Sequence, residues 1–326
     1  MNLSLNGIVF QKKFGNPIMD KNNGRILVTG SDGLVGSRFL ELSENRDYLH
    51  TPAQVDLDLT NTGDIYNLFQ SYEFRAVVNF AAFTDVGEAE KQRNKKEGLA
   101  YQVNVVGVKN LLNAVKPLAG KIQFIQISTD MVFPGSMEMK GPYEETLTPR
   151  IPTDKLTWYG FTKAEAERQV MEEMQDSATI VRMIYPVRAK FSIKTDYLRK
   201  PLKLFDEGKL YPIFSDQTIS ISFIDEVAKA LDKIINLKLF GIYHVSSSDT
   251  GTPFEIVNYL LEKTRGVKNA VKPILLDEFI KNTGSSPLRY PKFGGLTVRK
   301  TQAKLGINFS PWRKIIDTLI AQGITS

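Results

Sequence analysis

Apolar and polar positions alternate along this chain in two textures. Arg25-Ile26-Leu27-Val28 is a short β-branched run that stops at Gly30, and apolar residues then return at helical spacing at Leu34, Val35, Phe39 and Leu42. That order predicts a strand, a glycine turn and a helix. The texture repeats: Ala76-Val77-Val78-Asn79-Phe80 predicts a strand, Tyr101 to Val115 a helix, and Ile122 to Ile127 and Ala178-Thr179-Ile180-Val181-Arg182 two further strands. Strands alternating with helices imply a parallel sheet, and runs that are apolar throughout predict helices on both its faces. The predicted fold class is α/β, a doubly wound parallel sheet. After Arg182 come Lys- and Pro-punctuated segments with aromatic residues and short helices, which predict a smaller C-terminal lobe. That lobe is expected to be partly discontinuous, because Gly241-Ile242-Tyr243-His244-Val245 reads as one more strand able to return to the sheet.

Composition narrows the chemistry. A chain of 326 residues with 42% hydrophobic content can bury a large core, in one domain or two closely joined ones. Its longest apolar stretches fall far short of the roughly 20 residues that cross a bilayer, so no membrane partner is expected. The first 24 residues mix Lys12, Lys13, Asp20 and Lys21 into short apolar pieces and do not read as a signal peptide. Having no cysteine removes disulfides, thiolate zinc sites and a cysteine nucleophile, and it suits a reducing compartment, so a cytoplasmic location is expected. With only His50 and His244, no metal site is expected, and the chemistry falls to Tyr, Lys, Ser, Thr or carboxylates. The net charge of +6 is spread out, which argues against nucleic acid and points to a small anion.

Two motifs carry that chemistry. Gly30, Gly33 and Gly36 stand at the spacing G-x-x-G-x-x-G between the first strand and its helix. A dinucleotide pyrophosphate needs backbone N–H donors at such a helix start, where a side chain would hold the phosphates off. The more familiar spacing is G-x-G-x-x-G, and a plain turn can also use glycine for positive φ, so the context of strand and helix gives the loop its weight. It points to a Rossmann-type sheet and a dinucleotide ligand. Tyr159 and Lys163 are four apart, on one face of a helix, where a protonated ammonium would pull a phenol pKa toward neutrality. A second copy, Tyr259 and Lys263, falls in the amphipathic run Phe254 to Leu261 and reads as packing. What singles out Tyr159 is Ser128-Thr129 upstream, hydroxyls at a strand end where doubly wound sheets place ligands.

With these residues the sequence resembles the extended short-chain dehydrogenase/reductases and, within them, the dTDP-4-dehydrorhamnose reductase family. The matching segments, in order after the glycine loop, are Asp56 to Thr60, Asn79 to Val86, Asn104 to Gly107, Ile127 to Phe133, Tyr159 to Lys163, Asp216-Gln217 and a late stretch, Val298 to Trp312. The resemblance implies an NAD(P)-binding Rossmann domain over residues 25–185, after an extension over 1–24. A substrate lobe over 186–326 would return some strands and helices to the Rossmann sheet. It implies that Thr129, Tyr159 and Lys163 are catalytic: Tyr159 as proton donor to a keto oxygen, Lys163 on the nicotinamide ribose, Thr129 orienting the substrate. The cofactor, NADP or NAD, would be held by Gly30, Asp32, Gly33, Leu34, Val35, Gly36, Ala81, Tyr159 and Lys163. Asp58 and Leu59 would border the adenine, and Ala82, Phe83 and Thr84 the nicotinamide end. Thr129, Asp130 and Tyr185 would bind substrate. Asn104 would shape its helix and hold a water, although on the residues alone it reads equally as a helix-surface amide.

The departures lie in the C-terminal part. Relatives carry Arg-Thr-Ser-Trp where this chain has Arg182-Met183-Ile184-Tyr185, a Gly-x-Pro-Thr stretch where it has Thr218 to Ser222, and an Asn/Ser pattern where it has Phe293-Gly294-Gly295-Leu296. Three functions therefore stay open: a nucleotide-sugar 4-ketoreductase, another nucleotide-sugar conversion such as epimerisation or dehydration, and a non-catalytic, cofactor-binding regulator. Dehydratases of this scaffold place Asp-Glu after the catalytic Thr, and here Met131 follows Asp130. Leu49 to Ala53 offers neither the acid of NAD sites nor the Arg of NADP sites, so the cofactor choice stays open too. The expected partner is a nucleotide sugar, and a homodimer is compatible with the sequence.

Overall fold

The computed structural model describes residues 24–149 and 153–326, so residues 1–23 of the expected N-terminal extension lie outside the described residues. Six strands form one parallel sheet: β1 (Arg25–Thr29), β2 (Leu49–His50), β3 (Phe74–Asn79), β4 (Gln123–Thr129), β5 (Ala178–Met183) and β6 (Gly241–His244). Their order is β2-β1-β3-β4-β5-β6. The strand expected near Gly241 does return to the sheet, as its sixth member. β2, only two residues long, has no apolar run to announce it.

Side chains alternate between the two faces of a strand, and the core divides accordingly. Ile26, Val28, Val78, Ile125 and Val181 pack on one face with Phe39 of α1 (Leu34–Leu42). Leu27, Val77, Phe124 and Ile180 point the other way, onto Ile65 of α2 (Thr62–Ser71), Leu111 of α3 (Gly107–Val115) and Val170 of α4 (Trp158–Met174). The first face is completed by Val227, Leu231 and Ile234 of α5 (Ile224–Asn236), which comes from the second half of the chain. Both faces are covered, as the unbroken apolar strands require.

A further core lies beyond the sheet, where Val187, Leu202, Ile219, Ile256, Leu260, Trp312 and Ile316 pack together. Its main supports are α6 (Pro253–Arg265) and α7 (Trp312–Ala321). α6 is bounded by its sequence: Thr252 and Glu255 form a reciprocal capping box, Pro253 opens the first turn, and Gly266 ends it at φ 68°. Tyr259 sits edge-on to Trp312 at 5.6 Å and donates to Asp317 at 2.9 Å. The second Tyr/Lys copy is thus a packing feature between two helices, as its amphipathic run predicts.

One buried ion pair joins α4 to β5. Arg182, fully buried, donates from Nε and Nη2 to both oxygens of Glu167 at 2.9 and 2.7 Å and from Nη1 to the Leu147 carbonyl. His244 lies against it with its pKa lowered to about 3, first by burial and then by the Arg182 charge, so it is neutral and structural. Losing one partner would strand the other charge in the core. Arg182→Met is therefore expected to cost about 3–5 kcal/mol in urea unfolding, with Arg182→Met/Glu167→Met recovering most of it. A double variant no more stable than the single one would show that the pair is not the cause.

Candidate active site

The chain leaves β1 toward β2 on one side and returns to β3 on the other, so the sheet order reverses between β1 and β3. Such a reversal opens a crevice at the carboxyl ends of the strands. Gly30 stands in it with φ +63°, and a Cβ there would meet the Ala81 backbone nitrogen at 2.6 Å. At Gly36 a Cβ would fall inside 3.0 Å of the Gly30 carbonyl oxygen, whereas at Gly33 it would only touch that oxygen at 3.3 Å. The outer glycines close the loop, and the middle one, in extended backbone at the start of α1, leaves that helix without a side-chain cap.

Across the crevice, α4 is fixed in three ways. The Thr157 hydroxyl accepts from the Gly160 amide at 3.0 Å, and the Glu90 carboxylate from the Trp158 amide at 2.9 Å, so the first turn is capped twice. A Cβ on Gly160 would fall inside 3.0 Å of the Met131 carbonyl oxygen, so the helix backbone lies directly on the turn that follows β4. Lys163, one turn on, donates to the Ile127 carbonyl at 2.7 Å. The Thr129 hydroxyl caps the same turn by accepting from the Met131 amide at 3.2 Å. Tyr159, Lys163 and Thr129 are thereby gathered into one cavity.

The polar groups behind the cavity form a chain on the α2–α4 face. Thr29 donates to Asn79 at 2.5 Å, Asn79 to Gln126 at 2.9 Å, and Gln126 to the same Ile127 carbonyl that Lys163 uses, at 2.9 Å. Asn104 is buried and not a surface amide. It pairs with both the amide and the carbonyl of Phe83, at 2.8 and 3.1 Å, and donates to the Thr162 hydroxyl at 3.0 Å. It lies in a π-turn, Gln102–Val106, that interrupts the helix expected from Tyr101 to Val115.

Burial governs the titratable groups. It lowers the Lys163 pKa to about 8, against the opposing pull of Glu167. It pushes the Tyr159 phenol up, and the nearby Asp130 carboxyl pushes it further in the same direction. The expected lowering of the phenol by Lys163 is therefore not found: an ammonium whose own pKa is about 8 is neutral before a buried phenol would ionise. Asp130, buried under the chain near Gly295 and accepting from its amide at 3.1 Å, is raised to about 7.

The cavity has a volume of about 680 Å³, and its walls include Gly30, Asp32, Gly33, Leu34, Val35, Gly36, Ala81, Ala82, Thr84, Thr129, Tyr159, Lys163 and Tyr185. Four expected residues are not on its walls. Leu59 fills the core against Gly107, and Asp58 accepts from the Thr60 amide and hydroxyl in an exposed turn. Phe83 packs with Trp158 and Phe161, and the Asp130 carboxyl is engaged with Gly295. Ser128 and Met131, which the sequence sets beside Thr129, also line it, and so do residues that the sequence reading missed: Lys194, Thr195, Tyr197 and Lys200. Tyr185, held at φ 41°, stacks on Tyr197 at 4.1 Å. The one local signal for this stretch is the i,i+3 pair Asp196 and Arg199.

Glycine at 160 decides a sign. In an exposed helix interior Gly→Ala stabilises by about 1 kcal/mol, but Gly160→Ala is expected to lower the melting temperature because its Cβ has no room at Met131. An unchanged or raised melting temperature would mean that α4 does not rest there.

The family model for the RmlD substrate binding domain matches residues 24–324. The spore coat polysaccharide biosynthesis protein SpsK of Bacillus subtilis (strain 168) is 27% identical over 293 residues, covering 90% of this chain and 95% of that protein. A dTDP-4-dehydrorhamnose reductase of Streptomyces griseus is 36% identical over 230 residues, 69% of this chain and 71% of that one. Among solved structures, dTDP-4-dehydrorhamnose reductase from Bacillus anthracis str. Ames in complex with NADP superposes with a TM-score of 0.77 at 22% identity. It covers 92% of this chain and 98% of that one, a likeness of fold. A match over nearly all the described residues, with a relative above 30% identity, places the chain in the RmlD substrate binding domain family.

Proposed function

We propose that this protein is an NAD(P)H-dependent reductase of a nucleotide-linked 4-keto sugar. The observation that carries the reading is the single cavity that runs from the glycine loop to Thr129, Tyr159 and Lys163. The family, and the reductase activity by which its Streptomyces griseus relative is known, support it. The cysteine-free composition supports a cytoplasmic location; among the described residues no helix is long and apolar enough to cross a membrane.

The residues present fit a nicotinamide dinucleotide. Gly30 and Gly36 tolerate no Cβ, and α1 opens with no side-chain cap, so its first amides are available to a phosphate. Ser128 Oγ, buried on the cavity wall, has no partner among the described residues, which suits a polar ligand group. When bound, the reduced cofactor supplies a hydride to the carbonyl carbon. Tyr159 gives the phenolic proton to the keto oxygen, and burial keeps that proton in place until it is needed. Lys163, charged below about pH 8, holds the ribose and stabilises the phenolate that Tyr159 becomes. Thr129, fixed by its bond to the Met131 amide, orients the sugar. Met131 lines the cavity where a dehydratase would need an acid, and a thioether has no proton to trade.

Two measurements test this. On dTDP-, UDP-, GDP- and CDP-4-keto sugars, oxidation of NADPH or NADH is expected for at least one. On that substrate Tyr159→Phe should lose about 10²–10⁴ in kcat with cofactor affinity little changed, while Tyr259→Phe stays near wild type. Tight cofactor binding with no turnover on any sugar would favour a regulatory role instead.

The second concerns pH. Because the Lys163 pKa lies near 8 and its charged form is the competent one, kcat/KM for the cofactor should be level below pH 8 and fall about tenfold per pH unit above it. Lys163→Arg, whose guanidinium stays protonated, should keep its residual activity across that range. An identical alkaline fall in the Arg variant would assign the titration to another group.

A further inference from the structure

We propose that Lys194 and Lys200 form a pyrophosphate clamp on the wall of the cavity, held in position by the buried pair of Arg199 and Asp196. The proposal rests on the reading of the cavity as a nucleotide-sugar reductase site. The charged residues on its wall are Asp32, Lys163, Lys194, Asp196 and Lys200. Lys163 is buried and committed to the Ile127 carbonyl. The Asp196 carboxylate accepts from the amides of Leu198 and Arg199 at 3.0 Å each, from the Arg188 amide at 3.3 Å and from Arg199 Nε at 2.9 Å. Lys194 and Lys200 remain as cations on that wall with no ion-pair partner among the described residues. The wall is otherwise largely apolar, and two unpaired ammoniums on such a surface set up a field that attracts an anion.

The backbone of the segment carrying them is tied down by hydrogen bonds. Arg199 is buried, and besides its bond to Asp196 it donates to the carbonyls of Phe191 at 2.6 Å and of Lys194 at 2.5 Å, so the backbone of Lys194 itself is held. Lys200 follows in the first turn of the helix Arg199–Asp206. Arg188 ties the same segment to α1, donating to Ser37 Oγ at 3.0 Å and to Glu41 at 2.7 Å, and Ser37 in turn donates to the Gly33 carbonyl at 2.8 Å. The backbone that carries the lysines is therefore tied to the glycine loop. A lysine is a point-charge ligand for phosphate, and fixing its backbone reduces what binding must order. Both ligands of the proposed reaction, the dinucleotide and the nucleotide sugar, carry a pyrophosphate, and the experiment separates them.

Kd values for NADPH, NADH and dTDP would be measured on wild type, Lys194→Ala, Lys200→Ala, the double variant, and Lys203→Ala as a control from the same helix but off the cavity wall. The double variant is expected to bind at least one class about 10- to 100-fold more weakly, with a shallower salt dependence, and Lys203→Ala to match wild type. A loss confined to the nicotinamide dinucleotides assigns the clamp to the cofactor, and one confined to dTDP assigns it to the substrate. Wild-type affinity for both in the double variant overturns the clamp and leaves the reductase reading intact, as does an equal loss in Lys203→Ala. A wild-type protein that binds neither ligand overturns both.

Discussion

Gly160 lets the backbone of α4 lie against the Met131 carbonyl more closely than any side chain would allow. The helix gives up some intrinsic stability for this, since glycine in a helix interior is about 0.5–1 kcal/mol worse than alanine, and gains a fixed distance to β4. Tyr159 precedes that contact and Lys163 lies one turn beyond it, so a single close approach places both. Thr157 and Glu90, by capping the first turn, stop the helix from sliding along its axis. On the other side of the contact, Met131 belongs to the turn that Thr129 caps. Moving α4 outward would therefore carry Tyr159 and Lys163 away from Thr129 together.

The hydrogen-bonded chain from Thr29 through Asn79 and Gln126 extends this order across the sheet. Its members are buried polar residues in largely buried strands, and each is satisfied because its neighbour stands at the matching register: Thr29 faces Asn79, and Asn79 faces Gln126. Buried polar networks of this kind are costly when incomplete and specify one arrangement when complete. The chain ends on the Ile127 carbonyl, which receives both Gln126 and Lys163. The strand that launches the glycine loop and the helix that carries Tyr159 are thus joined through side chains as well as through the sheet.

The strands were legible because a parallel sheet covered on both faces must be apolar at consecutive positions, and β1, β3, β4, β5 and β6 are. The glycine loop was legible because strand, glycine and helix follow one another locally. Long-range partners were not. Asn104 makes sense only beside Phe83 and Thr162, 21 and 58 residues away, and no periodicity carries that information. Asp58 and Leu59 lie in a segment like that of related chains, yet Leu59 fills the space that Gly107 leaves in the core. Lys194 to Lys200 escaped notice because the segment is ordered by Arg199 reaching back to carbonyls, an arrangement without a hydrophobic pattern.

The two pKa shifts run in opposite directions, and both bear on the proposed reduction. A phenol already lowered by a neighbouring ammonium would spend part of its time as phenolate, unable to donate. Here burial holds the Tyr159 proton, with the Asp130 carboxyl adding to the effect. Burial also brings Lys163 to about 8, which leaves it mostly charged near neutrality. In the proposed reaction the ammonium would act when negative charge develops on Tyr159, after the proton has gone. Beside groups withdrawn from solvent such an interaction is worth more than the same pair would be in water. The buried pair Arg182 and Glu167 belongs to the same balance, because Glu167 opposes the effect of burial on Lys163 from one turn further along α4. Both shifts arise from burial at neighbouring turns of a single helix.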